Sequence, residues 1–221
     1  MRQSIVVVIG WVLIAASASA SPSSNVAYDA ETRALLGSGN PESGKALAEE
    51  HKCAKCHGDA GVSDDPGDAN IAGLRASYIY KQLKDYKDGK RKDRDMKKAT
   101  RDLDDRNMAD LAVWFASLPS AVPGSGAVDR SVRRLVYRGD PSRMIKACSA
   151  CHGRDGRGGQ NDYAAIEGQN RDYFVDTMSA FKDGSRVNDI YSRMRLIAEA
   201  LTEDEIKELA VYYAPTVKKG E

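Results

Sequence analysis

Apolar positions recur at three- and four-residue intervals in several short stretches of the chain and nowhere alternate over a useful length. Residues 77–88 carry Tyr78, Ile79, Leu83 and Tyr86 at helical spacing, and Gly89 stops the run. Residues 104–117 carry Met108, Leu111, Ala112 and Phe115, and Pro119 ends that run. A shorter helical pattern covers residues 42–52. Residues 173–183 and 202–213 repeat the scheme, the latter opening on the capping-box pair Thr202 and Glu205. The pattern predicts an all-α chain.

The helical stretches belong to a duplication. Cys53, Cys56 and His57 recur as Cys148, Cys151 and His152, Gly73 as Gly168, and Tyr78 as Tyr173. Lys87-Asp88-Gly89 recurs as Lys182-Asp183-Gly184, and Leu111-Ala112-Val113 as Leu209-Ala210-Val211. The second copy has extra residues between Arg186 and Met194. The prediction is one domain over residues 41–118, a Pro/Gly linker over 119–128, and a second domain over 129–221. Residues 21–40 are small and polar with no period, and are expected to be loosely ordered.

Composition adds two constraints. Lys and Arg number 33 against 32 Asp and Glu, which excludes a strongly basic nucleic-acid binder. Aromatic residues are only 7%, thin core filling for lobes of marginal size, so something else is needed to fill them. The first twenty residues have Arg2, an apolar core from Ile5 to Ala16, and Ala18-Ser19-Ala20. That is the pattern of a secretory signal peptide cut after Ala20. Loss of Arg2 leaves acidic and basic side chains equal in number, and export places the cysteines where oxidation is available.

All four cysteines lie in Cys53-Ala54-Lys55-Cys56-His57 and Cys148-Ser149-Ala150-Cys151-His152. CxxCH is the signature of c-type haem attachment: each thiol takes one haem vinyl group, and the adjacent histidine reaches the iron. A redox dithiol would need a βαβ setting that is missing. A zinc site leaves the histidine after each pair unexplained. Two ordinary disulfides leave the repeat of the whole motif unexplained. The reading is two covalently bound haem c groups.

The far side of each iron decides the task. Met108 aligns with Ile206 and Met178 with Leu83, so both read as core. Met144 lies too close to Cys148 to cross the haem. Met96 and Met194 occupy equivalent places before Leu103 and Leu201. They are assigned to the first and second iron, opposite His57 and His152. His51 has no counterpart and is read as a surface residue.

With these residues in place, the chain resembles the dihaem cytochromes of the cytochrome c4 family. The resemblance rests on CAKCH and CSACH, on IAGLRASYIYKQLKDYKDGKR and IEGQNRDYFVDTMSAFKDGSR, on the two methionines, and on DDRNMADLAVWFASL and TEDEIKELAVYYA. It implies two tandem cytochrome c domains, each wrapped around one haem, with His/Met ligation in a periplasmic electron carrier. Implied partners are a membrane quinol–cytochrome c reductase or terminal oxidase, docked transiently, or a periplasmic reductase or dehydrogenase. A cytochrome subunit of a sulfur-oxidising dehydrogenase is the alternative. A dihaem enzyme such as a peroxidase or thiosulfate dehydrogenase would need an open iron. In this family a proline carbonyl usually receives the N–H of the iron-binding histidine. Here those positions are Ala69 and Ala164, where a backbone carbonyl is still present. Expected apolar walls are Leu83, Leu111 and Phe115 in the first lobe, and Leu196, Leu209 and Tyr213 in the second. Between Lys81 and Arg101 ten basic residues stand against four acidic, a stretch expected to steer an acidic partner towards Met96.

Overall fold

The computed structural model describes residues 22–121 and 128–214. The signal-peptide assignment and most of the linker lie outside them. The described residues form helices and no strand. In chain order the helices are α1 (Ala30–Gly37), α2 (Pro41–Glu50), α3 (Ala54–His57), α4 (Ala76–Asp88), α5 (Arg94–Thr100) and α6 (Asp105–Ser117). They continue with α7 (Arg130–Arg138), α8 (Ser149–His152), α9 (Arg171–Lys182), α10 (Arg193–Ala200) and α11 (Glu203–Tyr213). Among the described residues no helix is long and apolar enough to cross a membrane.

Each lobe has its own core. Ile79, Tyr80, Leu103, Met108, Leu111 and Phe115 fill the first, and Phe174, Met178, Phe181, Ile206, Leu209 and Tyr213 lead the second. The last helix of each lobe opens on a reciprocal cap, Asp104 with Asn107 on α6 and Thr202 with Glu205 on α11. Such a cap satisfies two of the amide donors left open at a helix start. In the first lobe α2 packs on α6 with no room for a side chain at Gly44, where a Cβ would stand 2.1 Å from the Asp110 carbonyl oxygen. Gly73 and Gly168 hold the same place in the two lobes. Each is left-handed, and its amide donates to the end of the lobe's last helix, at Phe115 O (2.9 Å) and Tyr213 O (2.8 Å). A side chain at either would meet the connecting segment at Ser120 or Ala121.

The expectation for residues 21–40 is corrected. Asp29 accepts from the Thr32 amide at 2.9 Å and starts α1, and Leu35 and Leu36 pack against the first core. Arg106 ties the helix end down by donating to Ser38 O at 3.0 Å. Ser24 and Asn25 donate to Asp85 and Asp88 on α4, and the Asn40 amide to Asp110 on α6, so the segment is tied down along its length.

The lobes meet through polar groups far apart in sequence. The Asn70 amide donates to Gln169 Oε1 at 2.8 Å, and Gln169 Nε2 donates to Asn70 O at 2.9 Å. Asn170 Nδ2 donates to Asp65 O and Asp68 O, and the Tyr173 amide to Pro66 O at 2.9 Å. Every one of these partners lies in the loop between α3 and α4, so the second lobe closes on the loop that also positions His57.

Candidate haem sites

Each cysteine pair sits on one turn of helix, Cys53 and Cys148 just before α3 and α8, Cys56 and Cys151 within them. A single turn places positions i and i+3 on the same side, so both thiols face one object. None of the four cysteines, all of them described residues, is paired in a disulfide. His57 and His152 end the two helices. His57 Nδ1 lies 2.8 Å from Ala69 O, and His152 Nδ1 lies 2.7 Å from Ala164 O. A carbonyl oxygen only accepts, so each Nδ1 carries the proton and each Nε2 keeps its lone pair for a metal. The alanine carbonyls do what the family's proline carbonyls do. Burial also holds the His152 imidazole below its ordinary pKa, favouring the neutral, ligating form.

Both motifs open onto one cavity of about 1420 Å³ that crosses the lobe boundary. Met96 on α5 and Met194 on α10 line it, as do Leu83, Leu111, Phe115, Leu209 and Tyr213. Met178 borders it too, in the place that Leu83 holds in the first lobe. Met108 is fully buried in the first core and Met144 is 88% exposed. Two expectations are corrected. Leu196 is 64% exposed and Ile197 borders the cavity in its stead. Ile197 lies three residues after Met194 and shares its helix face, whereas Leu196, two residues after, points away. His51, at the end of α2, is half-buried against the cavity rather than on the surface.

Burial pushes the Cys148 thiol up to about 11 and raises Cys53 as well. Among the described residues no group of three or more His, Cys, Asp or Glu side chains could hold a metal ion. The polar wall of the cavity asks instead for anions. Arg91 and buried Arg186 both line it, and among the described residues neither pairs with a carboxylate. Buried Lys81 shares the single carboxylate Asp85. Buried cations without counter-charge are costly. The two propionates of a haem would supply that charge, and the apolar walls would suit its flat body. The residues present therefore fit a haem in each lobe.

Many cations of the basic stretch that brackets Met96 make hydrogen bonds within the protein. Lys81 and Arg91 are turned into the lobe boundary, and Lys84 pairs with Asp105 at 2.7 Å. Lys87 donates to Leu103 O, Lys90 to Pro22 O and Lys97 to Lys87 O. Arg94 and Arg101 pair with their neighbours Asp95 and Asp102. Lys92 and Lys98 are the remaining cations of the stretch, and both are exposed.

The family described as cytochrome c matches residues 41–119. A protein named thiosulfate dehydrogenase electron acceptor from Stutzerimonas stutzeri (strain A1501) is 34% identical over 172 residues, covering 76% of this chain and 80% of its own. A cytochrome c4 from Thiocapsa roseopersicina is 33% identical over 177 residues, covering 79% of this chain and 91% of its own. The crystal structure of reduced cytochrome c4 from Pseudomonas stutzeri superimposes with a TM-score of 0.73 at 28% identity, covering 80% of this chain and 98% of that one. Fold and sites together define a c-type cytochrome with two covalently bound haem c groups, an electron-transfer protein rather than an enzyme. The chain belongs to the cytochrome c4 family.

Proposed function

We propose that this cytochrome is an exported, periplasmic carrier in which one histidine and one methionine hold each iron. His57 and Met96 serve the first iron, and His152 and Met194 the second. The observation that carries this reading is that Met96 and Met194 line the same cavity as the two CxxCH motifs. Residues 1–20 act as a signal peptide cleaved after Ala20. Residues 41–118 and 129–221 are two cytochrome c domains on a 119–128 connection.

A bound haem supplies a one-electron ferric/ferrous couple at each site. The chain does the rest. The Ala69 and Ala164 carbonyls orient the histidines, the methionines close the far side, and the apolar walls keep water from the iron. Arg91 and Arg186 place positive charge where the two sites meet. Because both sites open onto one cavity, an electron accepted in one lobe passes to the other.

The partners are redox proteins: a quinol–cytochrome c reductase or terminal oxidase, or a periplasmic dehydrogenase acting on sulfur compounds. The name of the Stutzerimonas relative favours a thiosulfate-oxidising donor. If the chain is instead a fixed subunit of such a dehydrogenase, it co-purifies with it rather than alone.

The test is the spectrum of the oxidised holoprotein. The weak far-red band of a methionine–ferric bond is expected, with no carbon monoxide binding after reduction. Met96→Ala and Met194→Ala should each remove about half of that band and open one iron to carbon monoxide. A wild-type protein that binds carbon monoxide would overturn the carrier reading.

A further inference from the structure

Helix α7 carries four arginines and no acidic residue. Arg130, Arg133, Arg134, Tyr137 and Arg138 are all exposed. Their spacing puts them on one face of the helix, while Val132, Leu135 and Val136 are buried on the other. Among the described residues none of the four arginines makes an ion pair, and the helix contains no acidic residue. The one carboxylate beside it in sequence at the N-terminal end is Asp129, which precedes the helix. Beyond its other end, Arg143 takes Asp140 at 2.8 Å and Glu205 at 2.7 Å.

Helix α7 backs onto the second haem site with its other side, where the Cys148 thiol lies 3.8 Å from the carbonyl oxygen of buried Leu135. The chain from α7 to Cys148 passes through Met144, 88% exposed, and exposed Lys146, and residues from Lys146 onward line the cavity. Tyr137 is held in place by a 2.7 Å hydrogen bond between its hydroxyl and that of Tyr212. An apolar contact at Met144 beside a cationic rim is the composition of a protein docking patch.

Resting on the carrier reading, we infer that the α7 face with Met144 is where an acidic redox protein docks to exchange electrons through the second haem. The partner is a protein rather than a lipid surface because the apolar side of α7 is committed to the core. Only Tyr137 and Met144 are left to enter a membrane, too little apolar surface for a helix that lies in a bilayer interface. The lobe 1 stretch is the competing cationic surface, and its exposed Lys92 and Lys98 serve as the comparison.

The experiment uses the dihaem holoprotein and reduced flavodoxin, an acidic one-electron donor, in stopped flow over a range of ionic strength. The wild-type rate should fall steeply with salt. Arg133→Glu/Arg134→Glu should lower the low-salt rate tenfold or more and flatten the salt dependence. Arg133→Gln/Arg134→Gln should lie between. Lys92→Glu/Lys98→Glu should change it less than twofold. Haem content, spectrum and carbon monoxide binding are measured on every variant. Equal rates in wild type and the α7 variants, with spectra intact, would overturn the docking face and leave the carrier reading standing. A larger loss in the lobe 1 variant would overturn it as well. Sedimentation with phosphatidylglycerol vesicles at physiological salt, abolished by the α7 variant, would assign the face to a membrane instead. Carbon monoxide binding by the wild type would remove the carrier reading itself.

Discussion

Arg91 Nη2 of the first lobe donates to the Tyr173 hydroxyl of the second at 2.9 Å, and the duplication returns the contact. Arg186, the counterpart of Arg91, reaches the hydroxyl of Tyr78, the counterpart of Tyr173, at 3.5 Å. Each arginine also lies over an aromatic ring of its own lobe, Tyr86 at 4.6 Å and Phe181 at 4.4 Å. Both further donate to Gln82 Oε1. The two cations are thus fixed between the haem sites without a carboxylate. A fixed positive charge favours the reduced, less positive iron. Arg91→Gln and Arg186→Gln should each lower a midpoint potential, by roughly 60 mV for a tenfold change in the one-electron equilibrium. Arg91→Lys keeps the charge and should lower it less. Redox titration of both haems checks this, and unchanged potentials in both glutamine variants would remove the electrostatic role.

The two histidine contacts, His57 to Ala69 and His152 to Ala164, depend on backbone alone. Among the described residues, the Ala69 and Ala164 amides donate to no carbonyl. Proline at either position keeps the acceptor and costs no hydrogen bond. Ala69→Pro and Ala164→Pro should therefore stabilise the holoprotein by about 0.4–1 kcal/mol each, through a less flexible unfolded chain. Denaturant titration with intact haem spectra measures it. A loss of stability would mean that the backbone at that position does not accept the ring.

Lys81 and Asp85 form a buried pair at 2.5 Å, one turn apart on α4 and both almost inaccessible. Its remaining valences are filled from outside the helix. Lys81 also donates to Asn188 O of the second lobe at 2.7 Å, while Asp85 accepts from Asn188 Nδ2 at 2.7 Å and Ser24 Oγ at 2.6 Å. Burial pushes the Lys81 pKa down, against the attraction of Asp85. Asp85→Asn strands a buried ammonium and should cost about 3–5 kcal/mol. Lys81→Met/Asp85→Leu removes both charges and should lie much closer to wild type. Equilibrium unfolding of the two variants separates these outcomes, and equal losses in both would argue that packing, not charge, sets the cost.

The helices were legible because their faces repeat at helical spacing and their ends carry Gly89, Pro119 and Thr202. The attachment motifs and the equivalent methionines were legible because the duplication marks them twice. Leu196 was misread because α10 follows Tyr191 and Ser192, two non-glycine residues in left-handed conformation that no turn signal announces. They fall in the copy's extra residues, where the internal alignment gives no guide to which face the helix turns inward. The lobe boundary was not legible at all. Asn70 with Gln169 and Arg91 with Tyr173 join residues that no local pattern relates, and Gln169 has only Leu74 as its counterpart. The contacts of the basic stretch around Met96 were not legible either, because composition cannot tell an exposed lysine from one bound to a carbonyl.

Arg143 clamps the second lobe by donating to Asp140 on its own turn and, with both terminal nitrogens, to Glu205 at the start of α11. The Arg143 hydrogen bond is the leading reason that the Glu205 pKa lies below its ordinary value near 4.5. The Ser142 and Arg143 hydrogen bonds hold Asp140 down at about 2. Both folded-state values are depressed, so the clamp is fully present above the unfolded carboxylate range and is lost as pH falls through the folded values. The second lobe should therefore hold its stability from neutral pH to about pH 4.5 and lose it progressively towards pH 2. Arg143→Gln should destabilise at neutral pH and flatten the curve below 4.5, because the carboxylates then titrate nearer their unfolded values. Exposure limits the size of the effect, so the slope with pH is the quantity to read. Thermal unfolding of wild type and variant across this range, followed at the haem absorbance, provides it. Parallel curves would show that the acid response comes from other carboxylates.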